Sequence, residues 1–341
     1  MKDLLVIGGG PAGLASALHA ARAGLEVTVW DKRAGALDKA CGEGLMPGAV
    51  AALEDLGVAP RGADIVGIRY LAGRHAAQAR FRAGAGRGVR RTVLHDALRT
   101  ATQDAGAPIE QRNVRELDPH GDHVVVDGQR FRNVIAADGL HSPVRRQLGL
   151  DARPSTRRRF GLRRHFRCRP WTDLVEVHWS RTAEAYVTPV ADDLVGVAVL
   201  TSARGSFEHH LDRFPALRSQ LAGVEPASEV RGAGPLRQRA RSRVAGRVLL
   251  VGDASGYVDA LTGEGISMGL AQARAAVAAI AADDPQRYER QWRAITWRYR
   301  LLTAGLLHAT RLPPVRRGLV PAAERLPAVF SAAVNTLARP A

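Results

Sequence analysis

Four apolar residues, Leu4 to Ile7, run into Gly8-Gly9-Gly10-Pro11-Ala12-Gly13 and then into an alanine- and leucine-rich stretch ending near Ala23. The apolar run predicts a buried parallel strand, and the stretch after it predicts a helix. Gly8, Gly10 and Gly13 have the spacing G-x-G-x-x-G, and each glycine answers a steric need. The first permits a tight turn, the second lets backbone approach a pyrophosphate, and the third lets the helix pack closely on the strand. Pro11 suits the first helical position, and the free amides of the helix start, Ala12 and Gly13 among them, are expected to hold phosphates. A second strand, Glu26 to Trp30, ends at Asp31, close to the expected distance of about 20 residues, where a carboxylate accepts hydrogen bonds from a ribose. Lys32 beside it belongs to the same candidate site. This unit predicts a dinucleotide without distinguishing which one.

Two later segments narrow the choice. Val248 to Val251 is another apolar strand and delivers Gly252-Asp253, where a carboxylate is placed to bind a polyol hydroxyl. Thr262-Gly263-Glu264-Gly265 then precedes a strongly helical run, Ile266 to Ala282. Such a helix start offers unpaired N–H groups and a partial positive charge, which would stabilise the negative charge near N1 and the C2 carbonyl of a reduced flavin. Between the two ends, Asn133 to Ala137 reads as a strand running into Asp138-Gly139-Leu140-His141-Ser142-Pro143-Val144-Arg145. Taken alone, Asp-Gly after a strand is a turn.

The stretch Ala137 to Arg145 resembles the A-D-G-x-x-S-x-V-R segment of aromatic hydroxylase and geranylgeranyl reductase flavoproteins. Gly252 to Ile266 has the pattern G-D-A-x-G-x-x-x-x-x-T-G-E-G-I, similar to that of the FAD-dependent geranylgeranyl reductase group within the aromatic-hydroxylase-like superfamily. The resemblance implies that FAD is the cofactor, with Asp138, Gly139 and Arg145 along it. It implies that Gly252 and Asp253 touch the ribityl-pyrophosphate portion and that Gly263, Glu264, Gly265 and Ile266 lie near the flavin ring. The run Cys41-Gly42-Glu43-Gly44-Leu45 is similar to the segment that passes the isoalloxazine in that group, and Arg91 matches an arginine near the flavin. Cys41 and Glu43 are therefore the catalytic candidates, as donors or relays of a proton. A small packing residue for Cys41, and a loop charge or helix-start counter-charge for Glu43, are the alternatives. The sequence departs from the hydroxylase pattern at Ser255, Ala260 and Ser267, which leaves the reaction type open.

The stretch from Gly161 to Leu200 alternates in a period of two, predicting antiparallel strands with one face packed, completed by strands within Ile65 to Phe81. This sheet is expected to roof a substrate pocket, with Trp179 and Tyr186 as candidate lining residues and His165 and His178 on the solvent face. Gly84 to Gly88 neither follows an obvious strand nor opens a helix immediately, so no separate nicotinamide domain is expected. NAD(P)H, or another electron donor, would bind transiently.

Composition excludes several other classes. With 341 residues, 46% of them hydrophobic, the chain is large enough for two packed domains. Two cysteines, Cys41 and Cys168, make no disulfide framework and predict a reducing cytoplasm. The formal charge of +16 carries no zinc pattern or aromatic-spaced basic motif, so no metal and no nucleic acid is expected; only three of the 49 basic residues are lysines, a bias typical of a GC-rich genome. The apolar start lacks a signal-peptide cleavage context, and no apolar run of about 18 residues would cross a bilayer. Ten arginines between Arg287 and Arg339 alternate with apolar residues, a pattern that serves either peripheral contact with anionic lipid or packing over the dinucleotide domain.

The expected fold class is α/β, with three parts. Residues 1–60, 90–155 and 245–285 form a discontinuous Rossmann-like FAD-binding domain, 61–89 and 156–244 an antiparallel β-sheet substrate domain, and 286–341 a helical carboxy-terminal tail. The expected activity is an FAD-dependent oxidoreductase reducing a double bond in a lipophilic, prenyl-like or conjugated substrate. The competing readings are a monooxygenase hydroxylating an aromatic or polyketide substrate, and a non-catalytic flavin- or lipid-surface-binding protein.

Overall fold

A computed structural model describes residues 1–36, 38–152 and 158–339. The expected domain boundary at 155/156 and the extreme carboxy-terminus lie outside the described residues. Among the described residues the strands form three sheets.

The largest sheet holds β1 (Lys2–Ile7), β2 (Val27–Asp31), β8 (Ile109–Gln111), β9 (Leu117–Pro119), β10 (Val124–Val126), β11 (Gln129–Ala136), β17 (Val244–Ala245) and β18 (Val248–Leu250). Its main order is β17-β18-β11-β1-β2-β8, and β18, β11, β1, β2 and β8 run parallel. The register sets Ile7 against Ala136 on one side and Trp30 on the other, with Ala136 opposite Leu250. Four strand ends therefore open at one edge, in the crevice where doubly wound sheets take their ligands. Leu4, Val6 and Val29 pack under α1 (Pro11–Arg22), α3 (Arg91–Asp104) and α7 (Gly265–Ala281), beside α2 (Pro47–Asp55), while Leu5, Trp30 and Phe131 fill the other face. Parallel strands buried on both faces account for the unbroken apolar runs in the sequence.

The second sheet has the order β16-β12-β15-β14-β13-β5-β6, comprising β5 (Gly67–Ala72), β6 (His75–Arg80), β12 (Phe160–Arg167), β13 (Leu174–Trp179), β14 (Ala183–Ala191), β15 (Leu194–Thr201) and β16 (Arg231–Ala233). It is not antiparallel throughout: β13 pairs with β5 in parallel. About a hundred residues separate these two strands, so no hairpin dictates their direction. A small sheet of β3 (Gly44–Leu45), β4 (Ala63–Ile65) and β7 (Gly86–Gly88) joins the two larger ones.

Three short helices, α4 (Pro143–Gln147), α5 (Phe207–Leu211) and α6 (Pro215–Gln220), precede the tail. The tail consists of α8 (Arg287–Ala309), α9 (Pro313–Arg325) and α10 (Pro327–Leu337). Helix α8 packs against α7; α9 and α10 cover β5 and β6, with Phe330 and Val334 on Ala77 and Ala79, while Val320 of α9 clusters with Leu261 and the Ala338 carbonyl after α10 accepts the Gly48 amide of α2 at 3.1 Å. The tail thus lies over the dinucleotide segments chiefly through α8, while α9 and α10 rest mainly on the second sheet. Among the described residues no helix is long and apolar enough to cross a membrane.

Candidate functional site

The turn after β1 is held by its backbone. Gly8 has φ +107 and donates its N–H to the Trp30 carbonyl at 2.8 Å. A Cβ on Gly13 would lie 1.8 Å from the Gly8 carbonyl oxygen, so only glycine lets α1 approach β1 this closely. Helix α1 begins with Gly10 as N-cap and Pro11 in its first turn, and no side chain caps it, leaving its leading amides available to an anion. Asp31 ends β2 and accepts the Gly9 amide at 2.6 Å and the Arg33 amide at 2.9 Å. Lys32 is exposed beside it. His95, on α3, hydrogen-bonds through Nε2 to the Gly9 carbonyl at 2.9 Å.

The neighbouring strand ends complete the crevice. After β11, Asp138 Oδ2 accepts the Val144 amide at 3.1 Å, while its Oδ1 is buried without a partner. Burial pushes this carboxyl up, against the hydrogen bonds from Ser142 and Val144. Gly139, at φ +90, has open space where a side chain would project. After β18, a Cβ on Gly252 would come within 2.9 Å of Ala12, which locks this turn to the start of α1. Asp253 is paired with Lys39 Nζ at 2.8 Å. Burial pushes the Asp253 carboxyl up, but Lys39, aided by Arg91 and Arg145, outweighs it and holds the group below the usual carboxylate range.

Arg145, expected along the cofactor, is engaged by protein groups. It is 1% exposed, and its donors go to Asp151 at 2.5 Å, the Ala254 carbonyl at 2.9 Å and the Leu140 carbonyl at 3.2 Å. It ties the β11 turn to the β18 turn, and its charge reaches the Asp138 and Asp253 carboxylates.

The loop preceding α2 crosses the crevice. Cys41 is half-buried, and its sulfur accepts the Glu43 amide at 3.4 Å. The Gly42 carbonyl accepts the Thr188 hydroxyl at 2.8 Å, and Gly44 pairs with Gly88 in the small sheet. Glu43 is buried with both oxygens engaged: Oε1 accepts the Arg91 amide at 2.8 Å, and Oε2 accepts His165 Nε2–H at 2.6 Å. Arg91 itself is buried at the start of α3. Both oxygens of Glu43 are thus held within the protein, a geometry that anchors the loop.

Gly263, at φ +71, turns the chain into α7, which starts at Gly265 with a half-buried Ile266. Glu264, the residue at this helix start, is buried with Oε1 unpartnered, and burial pushes its carboxyl up to about 8. That value lies above the 4.5 of an ordinary glutamate, so the group's contribution to folding is whole below about pH 4.5 and is lost as the pH climbs to about 8. The slope is at most about 1.4 kcal/mol per pH unit. Glu264→Gln is expected to abolish it: thermal unfolding of the FAD-free proteins should show the variant gaining on the parent from about pH 5 to about pH 8 and levelling beyond. A constant difference across that range would mean that the carboxyl ionises normally.

Trp179 is not open to the crevice. It lies under α9, packed with Val320 and with the Arg316 guanidinium 5.2 Å from its ring. Tyr186 donates its hydroxyl to the Leu261 carbonyl at 2.6 Å, bracing the segment that leads into α7. His165 and His178, expected on the solvent face, are both buried. The alternation in β12 turned inward is the charged one: Arg163 and His165 meet Glu43 and Asp38 arriving from the crevice loop. Sequence reasoning missed this cluster, and it also missed Lys39 on Asp253 and His95 on Gly9. No local spacing signals them, because each pair is joined across at least 86 residues.

These features fit FAD: free amides for a pyrophosphate, a carboxylate at each of two strand ends for ribose and ribityl hydroxyls, an unpartnered oxygen on Asp138, and open space at Gly42 and Gly139. The FAD-binding domain family matches residues 1–180. Among curated proteins, menaquinone reductase of Mycolicibacterium smegmatis is 30% identical, covering 85% of this chain and 79% of that protein. Digeranylgeranylglycerophospholipid reductase 1 of Methanothermobacter thermautotrophicus is 29% identical, covering 79% and 74%. Two solved structures share the fold. A geranylgeranyl bacteriochlorophyll reductase-like protein from Thermoplasma acidophilum has a TM-score of 0.81 at 19% identity, covering 98% of this chain and 95% of that one. The flavin-dependent halogenase CmlS has a TM-score of 0.76 at 22% identity, covering 91% of this chain and 63% of that one. With its crevice so built and more than half its length matched, the chain belongs to the FAD-binding domain family and is an FAD-dependent oxidoreductase.

Proposed function

We propose that the enzyme saturates a carbon–carbon double bond in a lipid carrying a polyprenyl chain. The kinship with two reductases carries this reading: menaquinone and digeranylgeranylglycerophospholipid, the molecules in their names, differ in head group and share the polyprenyl chain. When bound, reduced FAD would supply a hydride for one carbon of the double bond, and NAD(P)H or another transiently bound donor would restore the electrons. The second carbon takes a proton, its new bond formed from the π pair. Cys41 is the group assigned to deliver it, because the thiol is half-buried on the crevice loop and, among the described residues, accepts only the Glu43 amide. Gly8, Gly10, Asp31, Gly139 and Asp253 hold the cofactor in this reading, and Glu43, Arg91 and Arg145 position the segments around it. A lipid substrate also requires an approach to the membrane, made here through the basic carboxy-terminal segment.

The test is product mass spectrometry under anaerobic conditions, with the reduced, FAD-loaded enzyme and a polyprenyl quinone. The expected product is heavier by one hydrogen pair per bond reduced, and Cys41→Ala is expected to retain its yellow colour while turnover falls about 100-fold. Absence of saturated product, with oxygen from O2 appearing in an aromatic substrate instead, would replace the reading by the monooxygenase.

A further inference from the structure

The outer face of α8 is apolar where it meets solvent. Trp297 is 54% exposed and Leu301 64%, one turn apart on the same face, and the chain continues past the helix to Leu312, 58% exposed, and an exposed Val315. The inward face of α8 is supplied by other residues, Trp292, Thr296, Tyr299 and Thr303, all buried. The outward apolar residues therefore do no work in the core.

The charge around them has one sign. From Arg290 through Ala323 the sequence contains no aspartate or glutamate. Arg298, Arg311 and Arg317 are exposed, and no acidic partner reaches them among the described residues. Arg237 adds to the same field: burial, then the charges of Arg239 and Arg311, hold its guanidinium below the ordinary range.

We infer that this corner of the molecule docks on an anionic lipid bilayer, with Trp297 and Leu301 entering the boundary between head groups and acyl chains and the arginines resting on the phosphates. A tryptophan ring is suited to head-group depth, and basic residues flanking an apolar helix face are the usual composition of an interfacial helix. The same positive field opposes a second copy of the chain, which would bring like charges face to face. A nucleic acid would use the arginines and leave the exposed Trp297–Leu301 pair unaccounted for. The inference rests on the lipid-substrate reading for its purpose, and the two fail separately.

The experiment is co-sedimentation of the full-length, FAD-loaded protein with vesicles of phosphatidylcholine alone and of phosphatidylcholine mixed with phosphatidylglycerol. The expected result is binding at least about tenfold tighter to the anionic vesicles at low salt, weakening as salt rises. Arg298→Gln with Arg311→Gln should remove the preference for anionic lipid, and Trp297→Ser with Leu301→Ser should weaken binding about tenfold while the protein stays folded and yellow. Brominated lipid should quench tryptophan emission in the parent and much less in Trp297→Phe.

Failure to bind anionic vesicles overturns the inference, as does binding that the serine pair leaves unchanged. A parent dimer that the serine pair dissociates, or duplex DNA bound more tightly than vesicles, overturns it in favour of those partners. Reduction of a detergent-dispersed polyprenyl lipid is measured alongside. Turnover without vesicle binding sinks the docking surface alone, and vesicle binding without turnover sinks the substrate reading alone.

Discussion

A Gly8→Ala variant is expected to lose FAD and a large share of its stability. Gly8 sits at φ +107, and a Cβ there would lie 2.4 Å from the Ala137 carbonyl oxygen and 2.7 Å from its carbon. Both obstacles are backbone at the end of β11, whose register with β1 is fixed by the pairing of Ile7 with Ala136. The displacement must therefore come from the turn itself, which carries the Gly9 amide that holds Asp31 and leads into the free amides of α1. Strain of this kind costs about 1–3 kcal/mol and overpacking a similar amount, against a typical domain stability of about 5–15 kcal/mol. Gly24→Ala separates the two terms. Gly24 also has a positive φ, +75, but no atom lies within 4 Å of its missing side chain. That variant should stay yellow with a modestly lower thermal midpoint. Purification of Gly8→Ala with full flavin absorbance and the parent's midpoint would refute the account of the turn.

The dinucleotide half of the molecule is legible in the sequence because its determinants are local. Leu4 to Ile7 and Pro11 to Ala23 predict β1 and α1 to within a residue or two at each end, and Ile266 to Ala282 does the same for α7. Glycine spacing and apolar runs act over a few residues, so they survive in the sequence as pattern. The second sheet is less legible because both alternations in β12 are mixtures. Leu162 and Phe166 mark one face as apolar, yet Arg163 and His165 are the fully buried side chains, since their partners come from Asp38 and Glu43 over 120 positions away. Arg145 shows the limit of a motif. The resemblance locates the segment at the end of β11, and only packing reveals that the guanidinium donates to the Ala254 carbonyl. The tail helices are legible as helices, but their docking is not, because α8 carries apolar residues on both its inner and outer faces.

The cluster missed in this way predicts the second large effect. Glu43 adopts φ +59, which costs a residue bearing a Cβ about 1–2 kcal/mol. Its carboxylate offsets that strain by accepting the Arg91 amide and the His165 ring, and it lies 3.9 Å from Arg163 Nε. Arg163 is paired onward to Asp38, which also accepts Arg231 Nε at 3.2 Å, and His165 Nδ1 accepts from Arg163 Nη1 at 3.0 Å. Removing the carboxylate leaves buried polar groups without their partner, at a cost of about 3–5 kcal/mol. Glu43→Ala keeps the backbone strain and loses the anchor, whereas Glu43→Gly loses the anchor and relieves the strain. Urea unfolding should therefore rank the parent first, glycine next and alanine last, with about 1 kcal/mol between the two variants. A double-mutant cycle with His165→Phe should return a coupling of at least about 1 kcal/mol. Glu43→Gln distinguishes an anchor from a proton donor. The amide oxygen can still accept the Arg91 N–H, so a positioning role predicts turnover within about tenfold of the parent, with the flavin spectrum shifted as the loop relaxes. A proton-donating role predicts a loss of about 100-fold or more with the spectrum unchanged.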